Sequence, residues 1–161
     1  EDIKKAVEAE RLNGRKAALK EKALETILTL TPEFGIPKSI FNSYTEREFS
    51  RIAERIVKSE ADVEKFKQEK DKHLEEARKA ATQQLRRFFI LRKIASLEDI
   101  SVEKQEVDNQ IQGMSAYYGY KERDVRKALD RNGGMGEIHS DILSSKVLDL
   151  VTDKAQIDEA V

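Results

Sequence analysis

Two histidines, a few paired acids and one glycine run are the residues of this chain that could carry chemistry. His139-Ser140-Asp141 contains the three letters of a nucleophilic relay. Consecutive positions on a helix point about 100° apart, so these side chains cannot line up as nucleophile, base and orienter. His73 lies in a different segment, beside the charged run Lys65 to Lys72. No His/Glu spacing around either histidine suits a metal, and His73 is expected to face solvent. Glu75/Glu76 and Glu98/Asp99 are paired acids, the raw material of general acid–base work. Their adjacency splays them, and nothing nearby would raise one pKa or hold a substrate. Gly133-Gly134-Met135-Gly136 opens a helix, where free amides attract anions. No strand precedes it and no lysine stands where a phosphate loop needs one, so a helix–helix turn is the better reading. The chain has no cysteine. Catalytic residues, metal and cofactor are all expected to be none, and the chain is not expected to be an enzyme.

The elements that would position such residues are helices. Charged residues make up 38% of the 161 positions and mean hydropathy is -0.67, values that suit long solvated helices. Lys+Arg at 30 and Asp+Glu at 31 nearly cancel, so there is no bulk attraction to nucleic acid or anionic lipid. Arg86-Arg87 and Arg92-Lys93 flank apolar residues and read as solubilising charge, so no direct nucleic-acid partner is expected. The first residues, Glu1 to Lys5, lack the basic start and apolar run of a signal peptide, and no apolar run approaches the ~20 residues that span a bilayer. No membrane partner is expected, and the lack of cysteine suits a cytoplasmic location. A start at Glu1, inside a helical pattern, reads as a fragment of a longer protein.

With two prolines and seven glycines, the polar/apolar periodicity is nearly all helical. The first helix is expected from Asp2 to about Leu30, with Leu19, Ala23, Ile27 and Leu30 on one face and Leu24 and Leu28 beside it. Thr31-Pro32 stops it. Pro37 suits the first turn of a second helix, ending near Lys58, with Phe41, Phe49, Ile52 and Ile56 on one side and Tyr44 close by. Ser59 and Asp62 resemble a capping pair for a long third helix. Val63, Phe66, Leu74, Ala77, Ala81, Leu85 and Phe88 fall in one stripe along it, the signature of a rod packed on another helix. A fourth helix is expected from Ser101, its cap, to Tyr118, burying Val107, Ile111, Met114 and Tyr118. Gly119 ends it. Lys121 to Arg131 and Met135 to Val151 complete the set, and the tail after Asp153 is expected to fray.

Apolar side chains exceed what single stripes need. Leu85 to Ile94 places them almost all round a helix, and in the last helix Leu143, Val147, Leu150 and Val151 form one surface while Ile138 and Ile142 form another. Either several helices converge there, or part of the surface stays open for a partner. Tyr117, Tyr118 and Tyr120 with Met114 add rigid rings beside a pliable thioether, suited to promiscuous apolar contact.

Ordered motifs resemble a known family. Glu98-Asp99-Ile100-Ser101-Val102-Glu103-Lys104-Gln105-Glu106-Val107, then Ile111 and Tyr118-Gly119, is similar to the carboxy-terminal pattern of the bacterial trigger factors. Val125 to Gly133, Ser140 to Leu143 and Lys146 to Leu150 follow that family's last two helices, and Phe34-Gly35-Ile36-Pro37 with Ile40 resembles its junction between the first two. The resemblance implies an all-α, elongated, SurA-like multi-helix domain over 1–161 with protruding arms. Its function would be ATP-independent: sheltering unfolded or nascent polypeptides in a patchily apolar cradle, within a parent involved in folding and export. The parent would also carry a ribosome-docking domain and a peptidyl-prolyl isomerase domain, neither visible in these residues. In the family, a segment preceding the isomerase domain packs on this helical part, so some apolar surface here would be covered by it. From helical phase alone, the expected client contacts are Phe34, Ile40, Phe41, Tyr44, Phe89, Leu91, Met114, Tyr117, Tyr120 and Leu148. The competing reading is a structural coiled-coil or homodimerisation module using the stripe from Val63 to Phe88.

Overall fold

The computed structural model describes residues 2–155, and each regular element among them is a helix. In chain order these are α1 (Asp2–Leu30), α2 (Lys38–Ile56), α3 (Glu60–Gln68), α4 (Lys70–Leu97), α5 (Lys104–Tyr118), α6 (Glu122–Asn132) and α7 (Gly134–Lys154). The all-α expectation holds throughout. The tail expected to fray lies, from residue 156 onward, outside the described residues.

The chain divides into two compact units, Glu1–Leu30 with Ile90–Val161, and Thr31–Phe89. In the first, α7 presents two apolar surfaces and each has its own core. Val147 and Leu148 pack with Leu91 and Ala95 of α4, joined by Leu24, Ile94, Ile100, Leu143 and Val151. Ile138 packs with Ile111 of α5 and Val125 of α6, joined by Val107, Met114, Leu129, Met135 and Ile142. The two surfaces expected on the last helix are thus both filled by converging helices, with Leu148 taking the place expected of Leu150 in the first. Burying one such Leu or Ile contributes roughly 1.5–3 kcal/mol. The exposed ion pairs on the same unit, such as Lys154 with Glu98 at 2.9 Å, contribute about 1 kcal/mol or less. The cores dominate.

Local chemistry sets the turns. Asp99 adopts φ 52°, and the amide of Ile100 donates to the Ala95 carbonyl at 2.8 Å. That bond, with Ile100 packed into the first core, is a Schellman ending for α4. α5 begins at Lys104 rather than at Ser101, because the Glu103 amide finds the Glu106 carboxylate at 2.8 Å and Glu103 becomes the cap. Lys146 of α7 clamps this corner, donating to the Ser101 carbonyl and to Glu106 Oε2, both at 2.8 Å. Gly119 and Gly133 end α5 and α6 with φ 70° and 73°. A Cβ on Gly134 would meet Leu129 Cδ2 at 2.7 Å, so the α6–α7 turn is packed where a phosphate loop would be open.

In the second unit α2 carries two buried polar side chains, both satisfied. Thr45 Oγ1 donates to the Phe41 carbonyl, and Glu48 accepts from Gln84 Nε2 and Arg51 Nη1, each at 3.0 Å. The Ser59/Asp62 pair opens α3 as expected, the Asp62 carboxylate accepting from the amides of Lys58 and Ser59 and from Ser59 Oγ. Two expectations fail here. The long third helix is broken at Glu69 into α3 and α4. His73 is 6% exposed rather than solvated, its ring stacked on Phe66 at 4.7 Å and 8°. The two differences have one cause. Positions seven apart on a straight helix lie about 10 Å apart along the axis. The break lets the rings meet, and Phe49 adds a third ring 5.3 Å from Phe66, tilted at 53° to it.

Candidate client-binding surface

α2 and the segment leading into it build one apolar patch of the second unit. Phe34 is 38% exposed and its ring stands edge-on to Phe89 of α4, with centroids 6.3 Å apart. Arg86, one turn before Phe89, lays its guanidinium 5.5 Å from the Phe34 centroid and donates to the Thr31 carbonyl at 2.9 Å. The loop stopped by Pro32 and restarted by Pro37 is therefore held onto α4, and Phe34 is presented rather than left loose. Ile40 is exposed on the first turn of α2, Phe41 is half-buried, and Tyr44 is half-buried under the guanidinium of Arg47 at 4.6 Å. The structure brings Phe34 and Phe89 together. Helical phase chose both without indicating that they touch, and it missed Arg86, which was read only as solubilising charge.

In the first unit the end of α5 carries the rings. Tyr117 and Tyr120 are 84% and 67% exposed, and Tyr117 stands at 90° to Tyr118 with centroids 4.9 Å apart. Tyr118 was expected on the buried face but is 61% exposed. The buried phase of α5 ends at Met114, which packs against the second core, because the helix gives way to Gly119 before another turn can reach α6 or α7. Ser115 Oγ donates to the Tyr120 carbonyl, tying the turn and holding the rings in place.

Two expected contacts are removed by burial. Leu91 is 1% exposed and Leu148 5%, both inside the first core where α4 meets α7. The all-round apolar stretch of α4 that suggested an open surface is covered at those positions by converging helices. The stripe expected to pair with a partner helix is also used internally: Ala77, Ala81 and Leu85 are fully buried. His139 is exposed, and among the described residues no group of three or more His, Asp or Glu could hold a metal. No helix among them is long and apolar enough to cross a membrane.

Comparison with known proteins decides the family. The family model for the bacterial trigger factor protein C-terminus matches residues 1–153. The chain belongs to that family. It is 28% identical over 95% of its length to trigger factor of Koribacter versatilis, covering 35% of that protein. It is 23% identical over 99% of its length to trigger factor of Staphylococcus carnosus, covering 36%. The chain thus spans little more than a third of these relatives, and as a family member it corresponds to their carboxy-terminal part. A solved structure of trigger factor domains from Thermotoga maritima superimposes with a TM-score of 0.65 at 19% identity, covering 88% of this chain and 83% of that one, which supports the fold.

Proposed function

We propose that this chain is the client-holding helical part of a trigger-factor chaperone, binding unfolded or nascent polypeptides without ATP. The observation that carries the reading is the set of large apolar side chains left exposed beside satisfied cores: Phe34 and Ile40 in one unit, Tyr117, Tyr118 and Tyr120 in the other. Two rings at 90° beside a fixed turn offer faces and edges to many side chains, and tyrosine hydroxyls serve a client's backbone. Burying a whole ring is worth at most about 4–6 kcal/mol gross, from 150–250 Å² at roughly 25 cal/mol per Å². Ordering a flexible client offsets much of that, so each patch binds weakly and releases readily. A charge content of 38% keeps the loaded chain in solution. The contacts proposed are Phe34, Ile40, Phe41, Tyr44, Phe89, Met114, Tyr117 and Tyr120. Docking to the ribosome and prolyl isomerisation are assigned to the part of the parent outside this chain, in the cytoplasm.

The test is suppression of aggregation of a chemically unfolded reporter, without nucleotide. Phe34→Ser, and Tyr117→Ser with Tyr120→Ser, are expected to lose at least half of the suppression while circular dichroism stays unchanged. A chain that forms one tight dimer and leaves reporter aggregation untouched would overturn the reading.

A further inference from the structure

We propose that Met114 and Met135 form a paired oxidation site, at which hypochlorous acid, a two-electron oxidant, converts both thioethers to sulfoxides and opens the core between α5, α6 and α7. The chain has two methionines and no cysteine, so these are its only sulfur atoms. They come from different helices, Met114 from α5 and Met135 from the first turn of α7, yet both pack against the same core of Ile111, Val125 and Ile138. Neither is sealed in, for both are half-buried. Each also stands next to a glycine with room beside it, Gly113 before Met114 and Gly136 after Met135, where an added Cβ would meet no atom within 4 Å. A small oxidant has space at the edge of the core next to each methionine.

The balance is thioether plus HOCl to sulfoxide, chloride and a proton. An S–O bond forms and the O–Cl bond breaks, with sulfur giving up the electron pair that chlorine takes. A sulfoxide is polar, and its oxygen needs a hydrogen-bond donor that the side chains of Ile111, Val125 and Ile138 do not offer. Because both methionines serve one core, oxidation removes packing from α5 and α7 at the same place. The opened core bares Ile111, Val125 and Ile138 as additional apolar surface. A dithiol-dependent reductase reverses the step, giving thioether, disulfide and water, so the opening is a switch rather than damage. None of this rests on the client surface.

The test treats the whole chain with hypochlorous acid in competition with N-acetylmethionine. Mass spectrometry of the peptides is expected to show one added oxygen at each methionine, formed no more than about tenfold slower than on the competitor. The melting temperature is expected to fall by at least about 4 °C, with a rise in bis-ANS fluorescence, and methionine sulfoxide reductases with dithiothreitol to restore both. Met114→Leu with Met135→Leu, which conserves volume, is expected to lose the response. Should that variant misfold, Met135→Gln puts a polar group at the same place without oxidant and is expected to melt below the parent. Slower oxidation than this, an unchanged melting temperature after both sulfurs are oxidised, an equal fall in the double leucine variant, or a Met135→Gln chain as stable as the parent overturns the proposal.

Discussion

Asp99 sits at φ 52°, a left-handed backbone that L side chains enter at a cost and glycine does not. Asp99→Gly is expected to raise stability by a few tenths to about 1 kcal/mol in urea unfolding, provided the Schellman bond from Ile100 persists. No change, or a loss, would mean that the Asp99 side chain does more than endure the turn. Glu106 carries a pH dependence. The hydrogen bond from Lys146, and next the one from the Glu103 amide, hold its carboxyl below the ordinary glutamate value of 4.5. A carboxylate whose folded pKa is depressed contributes stability that is present above the unfolded value and lost as pH falls through the folded one. The urea midpoint is therefore expected to drop on acidification below about pH 4.5, and Glu106→Gln to remove part of that slope. If the two profiles stay parallel, the Lys146 clamp does not contribute. At this scale the sequence was least legible. His73 was read as solvated because its neighbours in sequence are charged, whereas its ring lies flat against Phe66 as well as beside Glu69 and Glu76.

Helix identities and most ends could be read from local chemistry. Thr31-Pro32, the Ser59/Asp62 pair, Gly119 and Gly133 each act within one or two turns, so their effects need no tertiary context. Gly133 ends α6 at φ 73°, and Gly133→Ala is expected to cost about 1–2 kcal/mol, read as a lower melting temperature. A melting temperature at or above that of the parent chain would show that the α6–α7 turn can take another form. The misread elements are those whose limits depend on partners. α5 starts after Ser101 because Glu103 caps it through the Glu106 carboxylate, and Lys146, brought by α7, binds that carboxylate and the Ser101 carbonyl together. Leu91→Ala, in the core of the first unit, is expected to cost about 2–5 kcal/mol and Ile40→Ala on the exposed first turn of α2 well under 1. Equal costs would place Leu91 at a surface after all.

Over the whole molecule, a formal net charge of -1 within 38% charged residues leaves apolar burial, not bulk attraction, as the force for client capture. Client capture by exposed rings is expected to hold or strengthen from ~50 mM to ~500 mM salt, because salt screens charges and not the burial of apolar rings. The aggregation assay, run at both salts, checks this. If client capture fades, charge rather than the rings holds the client. By itself, the sequence determined the all-helical class, the turns, the two apolar surfaces of α7 and the family pattern, because each is written in short-range periodicity or in ordered motifs. Tertiary structure alone decided which apolar residues remain available. Leu91 and Leu148 were expected at an open surface, and only the convergence of α4 with α7 buries them, while Tyr118 escapes burial because α5 ends before any partner reaches it. Exposure is a property of what arrives from elsewhere in the chain, and a helical wheel contains no record of it.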